Sequence, residues 1–537
     1  MFHQRILQVN RLLSISSFAL MRCLRDSIFI DSIKYEMQVD QLDGHAIGRG
    51  AGYIFVETII GFVSGYLLWL VLTRITTPEI IGISSTVVSL CGIFIVIAEI
   101  GVDRGSSRIL AKYFHNNNLQ KARIYVKVSL ILVSVGIISS LSFLLIFKDW
   151  ISPSLDIPMI YFAMLIIGSS TVGILLHSII IASLKTRVIP KVMVIASSSR
   201  TIMVIVLVLA QAGAVGIVLG YSFYQILASI LLAFAIVKLL RNKENKENTE
   251  QITNPFKTVL IASVPSWIPK LISVIGGANL GTVIVFGSNG ASEAAAFFLA
   301  NTILSGIITV VTPLYTISFP ALSAMDDYRK RFTWRVIKVS MVILSPLSLA
   351  VIFYSADVIN LLGQDYSNAS IFLRILLLTA LVSPLSTMIH QLIYAYGNYR
   401  LVLYLGLASN IPRILLYFLL VPVFGGTGAA VSFLIGSIIS FALSIRVAGD
   451  IQMRIHWKVF LLITILPLLP AFLFNYFQIN FIVGIIGTMV ISMLAFLKFH
   501  ILTKSDVEDS VNVLPRGIAK PLVIMLNRVG RLLNKNY

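Results

Sequence analysis

Two things are scarce in this 537-residue chain: cysteine, with 2 copies, and charge, at 12% of residues. Cys23 and Cys91 stand far apart in unlike settings, so neither a disulfide framework nor a thiolate metal site can be read from them. Ordinary globular domains carry roughly a quarter charged residues, and the deficit here excludes a soluble fold. Catalytic signatures are missing too. No HExxH and no P-loop sequence occurs, which argues against zinc-protease chemistry and against ATP hydrolysis on this chain. The glycines of GHAIGRGAG look like a nucleotide loop only superficially, because no strand precedes them, and they read as a flexible junction. No cofactor and no metal site is expected.

What the chain has instead is apolar length. Hydrophobic residues make up 57% of it, and runs long enough to cross about 30 Å of hydrocarbon recur from Gly50 to the neighbourhood of Thr503. The expected fold class is an all-α integral membrane protein with about 14 transmembrane helices. The expected organisation is a leader at 1–49, an N-terminal lobe of six spans at 50–237 and an inter-lobe loop at 238–257. A second lobe of six spans follows at 258–446, then two extra helices at 459–502 and a tail at 503–537. Within the leader, LLSISSFALM resembles a signal-peptide core without a convincing cleavage site and reads as an amphipathic surface segment. Translation from Met37 is the plainer alternative, and residues 1–36 are expected to be dispensable.

A net charge of +19 could suggest nucleic acid. The placement of Lys and Arg decides otherwise: about 36 of the 42 fall on alternate connections and the two termini, while the opposite connections hold only Arg74 and Lys148. Basicity therefore reads as topology, with both termini cytoplasmic, a plasma-membrane location and no nucleic-acid partner.

Positive loops do not explain charge inside the spans. Arg200 interrupts SSSRTIMVIVLVL about halfway through the fifth span, where a charge costs about 2.5–3.5 kcal/mol on insertion scales. A repeat supplies its counterpart. KVSLILVS at Lys127 answers KVSMVILS at Lys338, Arg187 and Arg200 answer Arg400 and Arg413, and GAVG at Gly213 answers GGTG at Gly425. Two lobes related by an axis along the membrane normal would bring Arg200 and Arg413 to facing walls of a central cleft.

Helical spacing extends the cleft. Ser197, Arg200, Val204 and Gln211 share one face, as do Ser409, Asn410, Arg413 and Tyr417. In the seventh span, Ser263, Ser266, Lys270, Ser273 and Gly277 share another, beside Pro265 and Pro269, whose freed carbonyls need partners. Tyr53, Glu57, Gly61 and Ser64 line the first span around a carboxylate, and His390 with Gln391 extends a weaker polar face. Such small-residue faces also serve close helix packing, and Glu57 could simply pair with Lys270. Arg374 reads as a snorkelling residue and His177 as a hydrogen-bonded interior histidine. Three mid-depth cations against one clear acid favour an anion, and arginine's planar fork suits phosphate. Arg200, Arg413 and Lys270 are thus the expected substrate-binding residues and Glu57 a possible ion-coupling group. Ser197, Asn410, Tyr417, His390 and Gln391 form the secondary cavity lining.

The stretch LLWLVLTRITTPEIIGISSTVVSLCGIFIVIAEIGVDRGSSRILAKYF resembles the opening of polysaccharide flippases in the multidrug/oligosaccharidyl-lipid/polysaccharide exporter superfamily. LVPVFGGTGAA and LTKSDVEDSVNVLP are similar to that family as well. The resemblance implies two six-helix lobes around a cavity that is often cationic and opens alternately to each side. It implies as substrate an oligosaccharide on a polyprenyl or dolichyl phosphate or pyrophosphate, and as partners membrane lipids and the glycosyltransferases or polymerase of a glycan pathway. The last two spans resemble an extra pair for which a lipid-tail groove has been proposed. The rival reading is a multidrug or metabolite antiporter of the same superfamily, driven by a cation. An enzyme is disfavoured, since the outer connections are short and TRITTPE offers no paired carboxylates.

Overall fold

The computed structural model describes residues 44–116, 118–146, 157–241, 254–325 and 328–501. The leader before residue 44, the inter-lobe loop between 242 and 253 and the tail after 501 lie outside the described residues. The chain divides into two units, 1–51 and 52–537. In the first, residues 44–51 are helical, so the GHAIGRGAG stretch is not the flexible junction its glycines suggested.

Among the described residues, regular structure is helical and no strand occurs. The second unit begins with α1 (Gly52–Ile75), followed by α2 (Pro78–Glu99), α3 (Val102–His115), α4 (Leu119–Ile146), α5 (Ile157–Ala182), α6 (Val188–Leu209) and α7 (Gly213–Leu240). After the undescribed loop come α8 (Pro255–Ile275), α9 (Ala278–Asn289), α10 (Ala291–Thr309), α11 (Thr312–Ala324), α12 (Arg329–Phe353), α13 (Ser355–Asn360) and α14 (Ala369–Ala395). The chain ends in α15 (Tyr399–Asp450), α16 (Trp457–Ile465), α17 (Leu468–Tyr476) and α18 (Phe481–Lys498). Among the described residues, 13 helices are long and apolar enough to cross a membrane, with α8 and α9 joined as one and α16 and α17 as another. One of the 13, the 52-residue α15, is long enough to cross twice and is kinked: Gly425 sits inside it at φ 55°, ψ −136°, a backbone that glycine alone adopts without strain.

Several boundaries differ from the hydropathy reading, for local reasons. In the second lobe, α10 stops at Thr309 and α11 resumes at Thr312, with Pro313 in the first turn, where its missing N–H is harmless. The connection after the second span is not a loop. Ile100 and Gly101 take left-handed φ values of 49° and 69°, turning the chain sharply into the amphipathic α3. A side chain at Gly101 would also meet the Ser263 carbonyl at 2.6 Å, so that turn needs both the dihedral freedom and the missing Cβ.

The helices before residue 241 pack mainly on one another, α5 on α7, α6 on α7, and α2 on α4 and α5. Those after 254 do likewise, α14 against α10, α12 and α15, with α9 on α15 and the terminal α16, α17 and α18 along α12. The two bundles meet where α2 lies along α9 and α10, and where α8 lies against α3 and α4. In lipid, helices gain little from hiding apolar surface, so tight junctions rely on small side chains. That is the composition found: Ser85, Thr86 and Ser89 of α2 are buried, as are Ala294, Ala295, Ala296 and Ala300 of α10. The outer faces are apolar, as on α4, where Ile131, Val135, Ile138 and Leu145 are exposed.

Candidate functional site

Three charged clusters lie inside the second unit. The first surrounds Arg200, which is 6% exposed. Its guanidinium stands 5.0 Å from the Tyr221 ring centroid and 4.9 Å from that of Tyr224, both on α7, and its Nη2 donates to Ser64 Oγ of α1 at 3.4 Å. Ring faces attract the cation through their quadrupoles without cancelling its charge. Its Nε is buried and unpartnered among the described residues.

The second cluster surrounds Arg413. Nη1 donates to the Gly276 carbonyl at 3.1 Å and to Asn410 Oδ1 at 3.2 Å, Nη2 to Ser437 Oγ at 3.2 Å, and the group lies 4.3 Å from the Phe433 ring centroid. Tyr417 donates to the Gly277 carbonyl at 3.3 Å. Gly276 and Gly277 form the break between α8 and α9, so Arg413 and Tyr417 satisfy carbonyls that the interrupted helix leaves without an N–H. Partners were expected for carbonyls freed by Pro265 and Pro269, but both prolines lie within α8 and the break falls after them, at the glycines.

The two arginines occupy equivalent places in the repeat. Ser64 and Tyr224 around Arg200 stand at the same sequence offset from Gly277 and Ser437 around Arg413. They were expected on facing walls of one cleft, whereas the structure sets each between helices of its own bundle. Among the described residues no contact joins them. Ser197 is buried on the Arg200 face, and Ser409, Asn410 and Tyr417 are buried on the Arg413 face, while Gln211 falls beyond the end of α6 and is exposed. His390 Nε2 and Gln391 Oε1 are buried without a partner among the described residues.

The third cluster corrects the picture of Lys270 as a free cation. Its Nζ bonds to Glu99 Oε2 and lies 3.2 Å from Asp103 Oδ2. On the same helical face, Ser263 is buried against Gly101 and Gly105. Trp267 Nε1 donates to the Val96 carbonyl at 2.7 Å beside it. Glu57 pairs with His177 at 3.0 Å, not with Lys270. Arg374 Nε donates to Ser355 Oγ at 2.5 Å. Near these groups a cavity of about 410 Å³ opens between α3 and α5, lined by Asp103, Arg104, Arg108, His177 and Ser178 among others. Neither Arg200 nor Arg413 lines it.

Sequence reasoning passed over Glu99, Asp103, Arg104 and Arg108. The signal was available: Glu99 and Asp103, and then Arg104 and Arg108, are spaced by one helical turn, but a basic loop explained the arginines well enough as topology.

Solved structures of similar shape clarify the arrangement. The inward closed conformation of the lipid II flippase MurJ superposes with a TM-score of 0.64 at 16% identity, over 83% of this chain and 98% of that one. An inward-facing multidrug resistance MATE family transporter of the MOP superfamily gives 0.56 at 13% identity, over 72% and 99%. The chain has the MOP superfamily fold. A further MOP superfamily transporter, from Pyrococcus furiosus, described as having a binding pocket of reversed polarity, gives 0.55 at 14% identity, over 76% and 97%. No family model matches the sequence, and neither does any curated protein.

Proposed function

We propose that this chain moves an anionic lipid-linked oligosaccharide, carried on a polyprenyl or dolichyl phosphate or pyrophosphate, across the membrane by alternating exposure of its interior. One observation carries the reading: Arg200 and Arg413 are buried at equivalent positions and, among the described residues, neither is paired with a carboxylate. The interior acids Glu57, Glu99 and Asp103 each have a basic partner. At these two buried positions the charge without a counter-ion is positive, which suits phosphate and repels a cationic drug. MurJ, whose structure is described as that of a lipid II flippase, supplies the precedent of shape.

Such a carrier addresses a physical obstacle. Each polar group of a glycan head that loses water in hydrocarbon costs several kcal/mol, so unaided crossing is slow, and a polar interior substitutes for the lost partners. In this reading the tail stays in the bilayer and the bundles move about the junctions of α2 and α8. In this reading both termini face the cytoplasm, as the basic connections suggest, in a cell whose plasma membrane exports the glycan, where glycosyltransferases or a polymerase would be neighbours. No catalytic step on this chain is required.

A second reading has its own support. The MATE neighbours are multidrug transporters, and at Lys270 two carboxylates share a single ammonium, an excess of acid that would suit cation-coupled antiport. Purified protein in liposomes, offered a lipid-linked oligosaccharide or a cationic dye, separates the two. Glycolipid movement that is lost in Arg200→Gln supports the flippase; dye efflux without glycolipid movement overturns it.

A further inference from the structure

The cavity between α3 and α5 takes no part in the arginine clusters, and its lining is chemically specific. The geometry points to a phosphate-binding subsite there, formed by Arg104 and Arg108 with His177, where the charged head of the substrate docks before it reaches the interior. It rests on the flippase reading for the identity of the substrate, but not for the binding itself.

Arg104 and Arg108 are one turn apart on the same face of α3, and such pairs have Cβ atoms about 5–6 Å apart, close enough for two guanidinium forks to grip one phosphate or two linked ones. Both are exposed, and neither is hydrogen-bonded or ion-paired among the described residues. The cavity they line measures about 410 Å³, within the roughly 300–1,000 Å³ usual for ligand pockets. Ser107 and Ser178 add hydroxyls, and His177 brings a ring whose Nε2 is already oriented by Glu57 at 3.0 Å. Asp103 lines the same cavity and would oppose an anion, but its Oδ2 faces the Lys270 ammonium of α8. Asp103 thus shares the Lys270 ammonium with Glu99, while neither arginine is ion-paired among the described residues.

Position supports the same conclusion. The cavity lies where α3 turns out of α2 and where α5 nears its end, on the side that the basic connections assign to the cytoplasm. Lys270 joins the bundles one step deeper. An anion held at Arg104 and Arg108 would sit at the entrance to that junction.

The test uses the full-length protein in detergent, titrated calorimetrically at low salt with inorganic pyrophosphate and, separately, with geranyl diphosphate. Wild type should bind both, and R104Q/R108Q should lose affinity by on the order of tenfold or more, with R104K/R108K between them because lysine keeps the charge but not the fork. Tighter binding of geranyl diphosphate than of pyrophosphate marks a lipid head group as the ligand; equal binding marks free phosphate chemistry, and either supports the subsite. Unchanged affinity in R104Q/R108Q overturns it. Should that variant fail to fold, R104K/R108K decides by the same criterion. Pyrophosphate binding that depends on these arginines in a protein that moves no glycolipid would leave the subsite standing and remove the flippase reading. Glycolipid movement with unaltered binding in the variants would do the reverse.

Discussion

Lys270 Nζ of α8 lies 3.2 Å from Asp103 Oδ2 of α3, and the same ammonium bonds Glu99 of α2, so a single side chain ties the second bundle to the first. The Glu99 side chain is 3% exposed and Lys270 24%. Removing one partner of a buried pair strands the other charge, at about 3–5 kcal/mol in proteins generally. Lys270→Met should therefore lower the melting temperature in detergent markedly, and adding Glu99→Gln and Asp103→Asn should restore much of the loss. A triple variant less stable than Lys270→Met would contradict the role of stranded charge.

A second junction, at the other end of α2, depends on shape alone. A Cβ on Gly82 of α2 would stand 1.8 Å from the Ala291 carbonyl oxygen of α10, and backbone cannot swing aside as a long side chain can. Gly82→Ala should destabilise this conformation by about 1–3 kcal/mol, the usual range for overpacking. Cysteine pairs engineered across α2 and α10 should cross-link more slowly in the variant; an undiminished rate would count against the close contact.

The two arginines, although equivalent by repeat, should respond differently to substitution. Arg413 donates to three oxygens and braces the break in α8 and α9, so Arg413→Gln should lower both thermal stability and transport. Arg200 has one long hydrogen bond and two ring faces, and Arg200→Gln should reduce transport with a smaller effect on melting. Equal loss of stability in both variants would show that the aromatic cage is as structural as the carbonyl brace.

Opposite the Lys270 junction, Arg74 Nη2 donates to the Leu361 carbonyl at 2.5 Å, joining the end of α1 to the turn after α13. Arg74→Ala should release that end. A cysteine placed at Ser292, whose hydroxyl donates to Glu79 at 2.9 Å nearby, should react faster with a membrane-impermeant thiol reagent in the Arg74→Ala background. No change in rate would mean that the α2 and α10 packing closes this end without help.

Much of this molecule was legible before any coordinates. Hydropathy alone determined that it is a helical membrane protein, because a bilayer of fixed thickness demands apolar runs of fixed length. The spacing of Arg200 and Arg413 suggested a repeat, and both are buried, although two ring faces surround Arg200 and three oxygens Arg413. Helical periodicity also placed Ser409, Asn410, Arg413 and Tyr417 on one buried face.

The fate of each charge was decided only by tertiary structure. Lys270 read as a free cation because nothing in its own helix neutralises it; Glu99 and Asp103 reach it across 171 and 167 residues of chain. Glu57 found His177 for the same reason. A linear pattern records how deep a side chain lies and which face of its helix it occupies, but not which other helix meets that face. In a low-dielectric interior that neighbour determines whether a charge braces the fold or stays free to bind.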